Sequence, residues 1–232
     1  RQYRAYRHEA AKFLRTASKQ ARVTFNGPGS RGALTALGAV LTRTDVNRDL
    51  LRKVVSNPHA LIQKSPKLQP TIFPAIKAMA RLGNIKGTNE VLKRAARSVK
   101  DEGGTRGALF ELVAGAAVKR MGYKLDGLSH QIGKYETDGK VDNGGKQPTL
   151  VNMKSISMQR VMGRTVAKAE DQLRLRNGTA NGRPLDKRNP ALLVIGQMPG
   201  VDLAGWNWKE TARKTGSDLT VIRVDPNTGR GQ

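Results

Sequence analysis

The sequence predicts an α/β fold for its second half, a mixed sheet flanked by helices, preceded by a basic all-helical region. Three observations carry that expectation. From residue 107 onward the apolar pattern runs helix, extended segment, strand, helix, strand, which is an α/β order. ALLVIGQM at 191–198 is a near-continuous apolar run, as expected of a strand covered on both faces. Residues 1–100 carry no strand signal, and they hold 21 Lys and Arg against 4 Asp and Glu, a net of +17.

Taken in order, residues 1–22 read as one basic amphipathic helix, with Tyr3, Tyr6, Phe13 and Leu14 on its apolar side. FNGPGSRG at 25–32 is a turn-forming break. GALTALGAVL reads as a short buried helix, followed by an N-cap at Thr44 or Asp45 and a basic helix through Val55. The three prolines of NPHALIQKSPKLQP indicate a loop around a short helical turn. IFPAIKAMARLG and NEVLKRAARSV are two further short helices, split by Gly83 and Gly87. DEGGTRG at 101–107 marks a boundary, which divides the chain into a basic helical region over 1–100 and an α/β domain over 101–232. That domain reads as a helix over 107–122, an extended region over 131–142 and an apolar strand over 149–156. A polar helix over 159–176, a Gly/Asn/Pro-rich loop over 177–190, the strand at 191–198, a short helix in WNWKETARKTG and a last strand in DLTVIRVD complete it.

Composition narrows the function. The formal net charge is +24 and the pI about 11.0, an excess that points to nucleic acid before an anionic membrane or an acidic protein. Residues 101–232 hold 21 basic against 14 acidic side chains, so the acids concentrate in the second half. Cysteine is absent, which excludes disulfides and thiolate zinc sites, and His8, His59 and His130 are too few for a histidine-rich centre. No apolar run approaches bilayer length, and no secretory signal pattern opens the chain. The start at Arg1 rather than Met fits a C-terminal piece released from a longer carrier, and an arbitrary fragment boundary fits equally.

The chemistry concentrates between Gly107 and Lys154. Glu111 is a lone acid in the apolar helix GALFELVAGAAVKRMGY, where burial is costly unless the carboxylate is paired or binds metal. Asp138 and Asp142 flank a turn-like segment in KYETDGKVD, so turn chemistry is the alternative role for either. Asn152 and Lys154 are two apart in TLVNMKSI and share one face of a strand, with Val151 and Met153 on the other. Carboxylates, a further oxygen ligand and a nearby ammonium form a site suited to a hard divalent cation and a phosphodiester.

These segments, from about Gly107 to Met198, resemble the PD-(D/E)xK nuclease superfamily with its restriction-endonuclease-like fold. Within it, the likeness is greatest to nuclease domains that end bacterial polymorphic and contact-dependent toxins. The resemblance implies that Glu111 in the first core helix, Asp138 or Asp142, and Asn152 hold Mg²⁺ or Mn²⁺, with Lys154 orienting the attacking water. It implies phosphate contacts from the following helix, for which Gln159, Arg160 and Gln172 are the candidates. Arg174 and Arg176 begin a basic stretch, 174–188, that fits a substrate contact and a solvated loop about equally. An acidic immunity protein and action in the cytoplasm after delivery by a secreted or phage-borne carrier are implied as well. One departure stands out: the family usually has Asp or Glu where this chain has Asn152, and a neutral amide lowers metal affinity.

Other signals are weaker. Histidine titrates near neutral pH, as a general base must, but His130 has no evident nucleophile or acid partner in the sequence, so a structural or surface role is the simpler reading. Trp206 and Trp208 suit core packing better than base stacking. A second reading of the whole chain is a non-catalytic nucleic-acid-binding or packaging protein with a degenerate core. A third, a ribosome-associated basic protein, accounts for the charge but not for the ordered acidic and lysine residues.

Overall fold

The computed structural model describes residues 2–98, 100–132, 135–145, 148–179 and 190–231. By packing the chain divides into two units, Arg1–Ala116 with Asn227–Gly229, and Ala117–Pro226 with Arg230–Gln232. The class is mixed α/β, and no helix among the described residues is long and apolar enough to cross a membrane.

The first unit is built from α1 (Gln2–Leu14), α2 (Lys19–Asn26), α3 (Arg31–Leu41), α4 (Arg48–Val55), α5 (Pro58–Leu61), α6 (Ile72–Leu82), α7 (Thr88–Arg97) and most of α8 (Glu102–Arg120). The single helix expected over 1–22 is instead two. Ser18 takes an extended conformation and its side chain accepts from the Ala21 N–H, capping α2, while Arg22 reaches back to the Arg15 and Ala17 carbonyls. The cap of α4 also differs from expectation. Asn47 accepts from the N–H groups of Asp49 and Leu50, whereas Asp45 pairs with Arg43 at 2.6 Å. The glycines of DEGGTRG do not interrupt the chain, because α8 already begins at Glu102. A Cβ on Gly104 would lie 2.6 Å from an Asp101 carboxylate oxygen, so glycine there answers a close approach. Gly38 does the same where α1 crosses α3: a Cβ would stand 1.9 Å from the Tyr6 carbonyl oxygen. Phe25 and Phe73 meet edge to face at 5.1 Å, and Leu37, Leu51, Ile76 and Leu92 are likewise fully buried in this unit. Each such side chain contributes roughly 1.5–3 kcal/mol on burial.

The second unit begins within the last turn of α8, at Ala117. It contains β1 (Lys124–Ile132), β2 (Tyr135–Asp142), β3 (Thr149–Ile156), a 3-10 turn (Gln159–Val161), α9 (Met162–Thr179), β4 (Pro190–Gln197), α10 (Trp208–Thr215) and β5 (Asp218–Val224). The strands form one sheet in the order β1-β2-β3-β4-β5. The first two pairings are antiparallel and the last two parallel. Short connections serve the antiparallel part, while α9 and α10 make the crossovers that parallel strands require.

Three of the expected strands stand where the sequence put them, at β3, β4 and β5. The first strand begins at Lys124, ahead of the extended region expected from 131. KLDGLSHQI hides it, being poor in β-branched residues and carrying an irregularity between Leu125 and Gly127. The expected helix at 159–176 is a 3-10 turn followed by a helix to Thr179, and positions 180–189 of the expected loop lie outside the described residues. Val166, Ala169 and Leu173 form the buried stripe of α9, and the first two pack with Ile156, Leu193 and Ile195. Trp206 and Trp208 pack against this core, and the Trp206 indole donates to the Thr211 hydroxyl, which donates to the buried Glu170.

Candidate active site

The alternation along β3 sends Val151 and Met153 to one face and Asn152 and Lys154 to the other. In the parallel register Asn152 sits beside Leu193, and Lys154 beside Ile195. The polar pair thus lies on the same face as the apolar residues that α9 covers.

Across the sheet, β2 and β3 pair through Val141–Thr149, Lys140–Leu150 and Gly139–Val151. Beyond Gly139, side chains take over from the main chain. The Thr137 hydroxyl donates to the Val151 carbonyl at 2.8 Å. The Asp138 carboxylate accepts from the Met153 N–H at 2.7 Å, and its same oxygen lies 3.5 Å from Lys154 Nζ. On the other side of Asp138, in β1, Ser129 falls between the pairs Leu128–Gly139 and His130–Thr137 and has φ of 49°. A positive φ outside glycine is uncommon, and such backbone strain concentrates at functional positions. Gly139 is hemmed in as well: a Cβ would meet the Met153 side chain at 3.2 Å and the Gly127 carbonyl at 3.3 Å.

Asn152 is 0% exposed. Its Nδ2 donates to Oε1 of Gln172 on α9 at 3.0 Å, and its Oδ1 is buried with no hydrogen-bond partner among the described residues. An unsatisfied buried acceptor costs about 1–3 kcal/mol, which a donor or a cation at that oxygen would recover. Asp138 and Asn152 Oδ1 are both hard oxygen donors, so these residues fit a magnesium-type ion. The fit is a weak one electrostatically, because Lys154 already balances the charge of Asp138. Among the described residues no three His, Cys, Asp or Glu side chains gather into a group that could hold a metal. An ion here would complete its shell from main-chain, solvent or substrate oxygens.

The remaining expected residues have the following partners within their own units. Asp142 ends β2, exposed, where the Gly144 N–H and then the Lys124 ammonium hold its carboxyl below the usual aspartate range. That is the turn role, so of the two aspartates it is Asp138 that meets Lys154. Glu111 belongs to the first unit, where it is buried and lies 2.5 Å from the Arg94 guanidinium. Gln159 clasps the backbone of Asp202, donating to its carbonyl and accepting from its N–H. Arg160 is exposed on the 3-10 turn, and Arg174 is exposed beside Asp171 at 3.4 Å. The side chain of Arg176 lies outside the described residues. His130 is half-buried, and burial followed by the charge of Lys140 pushes its pKa down against the pull of Asp126.

Two roles emerge only with the structure. Thr137 is β-branched and adjoins Asp138, the one hint in the sequence of its place between β2 and β3. Gln172, expected at a phosphate, accepts from Asn152 through Oε1. Comparison of the chain with protein-family models, with curated proteins and with solved structures finds no match.

Proposed function

We propose that the second unit is the core of a metal-dependent endonuclease hydrolysing phosphodiester bonds of DNA or RNA, of the kind found in bacterial toxins. One observation carries the reading: Asp138 of β2 meets Lys154 of β3, the strand that also offers Asn152 Oδ1, unpartnered among the described residues. The order of a strand with Asp138, a strand with Asn152 and Lys154, and a helix with Gln172 agrees with the resemblance to PD-(D/E)xK nucleases.

Asp138 and Asn152 Oδ1 would hold Mg²⁺ or Mn²⁺, which when bound supplies Lewis-acid polarisation of the phosphate and a more acidic water. Asp138 is held in place by the Met153 N–H, so its second oxygen points without the entropy of a free rotor. Lys154 would supply the ammonium that orients the attacking water and offsets charge building on the phosphate. The apolar neighbours Leu193 and Ile195 lower the local dielectric and strengthen both effects. The basic helical region supplies sequence-independent phosphate contacts. An acidic inhibitor protein is the partner this charge calls for.

Incubation with plasmid DNA and total RNA in Mg²⁺, with and without chelator, tests the reading, with Asn152→Asp and Asn152→Glu alongside. Chelator-sensitive cutting by the parent or by either carboxylate form is expected. Absence of cutting by all three would replace it with the second reading, a nucleic-acid-binding protein whose core has lost its chemistry. The neutral amide at 152 is the observation that favours that alternative.

A further inference from the structure

We infer that Gln172 is a positioning residue that fixes which atom of the residue 152 side chain is offered to the site; the inference rests on the function proposed above. A carboxamide is planar, with oxygen and nitrogen on opposite branches, so holding one branch determines where the other goes. Asn152 is fully buried, and its Nδ2 donates to Gln172 Oε1 at 3.0 Å. Oδ1 is therefore the branch left over, and it is buried without a partner among the described residues. Were Gln172 to present a donor instead, the amide would turn, and a nitrogen would replace the only atom of Asn152 that can meet a cation or a donor.

Gln172 is well placed to hold this orientation. It precedes Leu173 on α9, and Leu173 and Ala169 are both completely buried, which fixes the turn of helix from which Gln172 projects. Glutamine also carries both functions, so it serves either side chain at 152. It accepts from an asparagine through Oε1, and after rotation it donates Nε2–H to an aspartate. Single-function replacements separate the two cases. Gln172→Glu can only accept, so it suits Asn152 and repels a carboxylate there. Gln172→Lys can only donate, so it suits Asn152→Asp and inverts the native amide.

The test uses the full chain and the side-chain amide protons of Asn152, followed by NMR, with thermal melting as a check on the fold. In the parent these protons are expected to be shifted and protected from exchange. Gln172→Glu keeps that signature, whereas Gln172→Met, which preserves volume but accepts nothing, abolishes the protection. Mn²⁺ titration, read by paramagnetic resonance, gives a second measure: affinity about tenfold weaker in Gln172→Met and at least parental in Gln172→Glu. Unchanged Asn152 amide protection in Gln172→Met overturns the proposal. Should Gln172→Met fail to fold, equal amide signatures in Gln172→Glu and Gln172→Lys overturn it equally. A parent that binds no Mn²⁺ while the amide pattern holds removes the metal reading and leaves the positioning role standing.

Discussion

Asp138 accepts the Met153 N–H at 2.7 Å at the point where main-chain pairing between β2 and β3 gives way to side chains. One carboxylate therefore serves as a piece of the sheet and as the counter-ion of Lys154. The two roles separate by mutation. Asp138→Asn retains an acceptor for Met153 and should lose no more than about 2 kcal/mol of stability. It should nevertheless cut at least about a hundredfold more slowly, because the charge is gone. Asp138→Ala leaves the Met153 N–H without this acceptor and should lose both. Denaturant midpoints and plasmid cleavage rates, taken on the same preparations, decide whether the split exists.

Lys154→Ala should abolish cleavage while leaving the fold intact. The strand keeps Val151 and Met153 on its other face, and Asp138 keeps its backbone partner. Loss of a group that orients the nucleophile and stabilises transition-state charge costs on the order of a hundredfold or more. Binding to a nucleic acid measured by anisotropy should change little, since one charge in a chain of +24 is removed. Cleavage at the parental rate would show that Lys154 has no part in the chemistry.

The acid stability of the first unit should depend on Asp45. The hydrogen bond from the Arg43 guanidinium, 2.6 Å away, holds its pKa below the ordinary value. A carboxylate depressed in the folded state contributes stability that is present above its unfolded pKa. That contribution disappears as pH falls below about 4, through the folded value. Asp45→Asn should accordingly lower stability at neutral pH and flatten its decline in acid, while Arg43 keeps the Met79 carbonyl. Denaturation curves at about pH 6 and about pH 2.5 give the sign directly.

Nucleic-acid affinity should fall steeply with salt, with exposed basic residues of the helical region carrying the dependence. Lys12, Arg15, Lys19 and Lys53 are exposed on or beside α1, α2 and α4. Changing them to glutamine should lower the slope of log affinity against log salt by roughly 0.9 for each duplex phosphate that is no longer neutralised. A slope that stays at the parental value would assign the charge to delivery or partner docking instead.

Much of the second unit is legible in the sequence because its strands are apolar and its helices polar. β3, β4 and β5 announce themselves through runs such as TLVNMKSI and ALLVIGQ. β1 does not, because a sheet-edge strand with Gly127 and Ser129 in it carries little hydrophobic pattern. In the first unit the break at Ser18 is hidden by helix-compatible neighbours, and only its side-chain cap reveals it. The meeting of an aspartate with Lys154 is foreseeable in kind. Sequence does not choose between Asp138 and Asp142, because both adjoin the same turn-like residues. Registry makes the choice, by setting one aspartate inside the sheet and the other at its exposed end.

Asn152→Asp is the substitution on which the functional reading turns. At present the charges of Asp138 and Lys154 cancel, and the neutral amide adds oxygen but no charge. A carboxylate in the same fully buried position is costly without a counter-ion, so its pKa rises and the protein loses stability. A divalent cation would satisfy that carboxylate together with Asp138, while Gln172 rotates to donate to the other oxygen. Since a ligand that binds only the folded state stabilises it, Mg²⁺ should raise the melting temperature of the variant well above its value in chelator. The parent should gain less, in keeping with its neutral site. Paired melts in Mg²⁺ and in chelator measure this without any substrate, and the variant should also cut faster than the parent. Equal Mg²⁺ shifts in parent and variant would mean that residue 152 is no cation ligand, and the nuclease reading would fall with it.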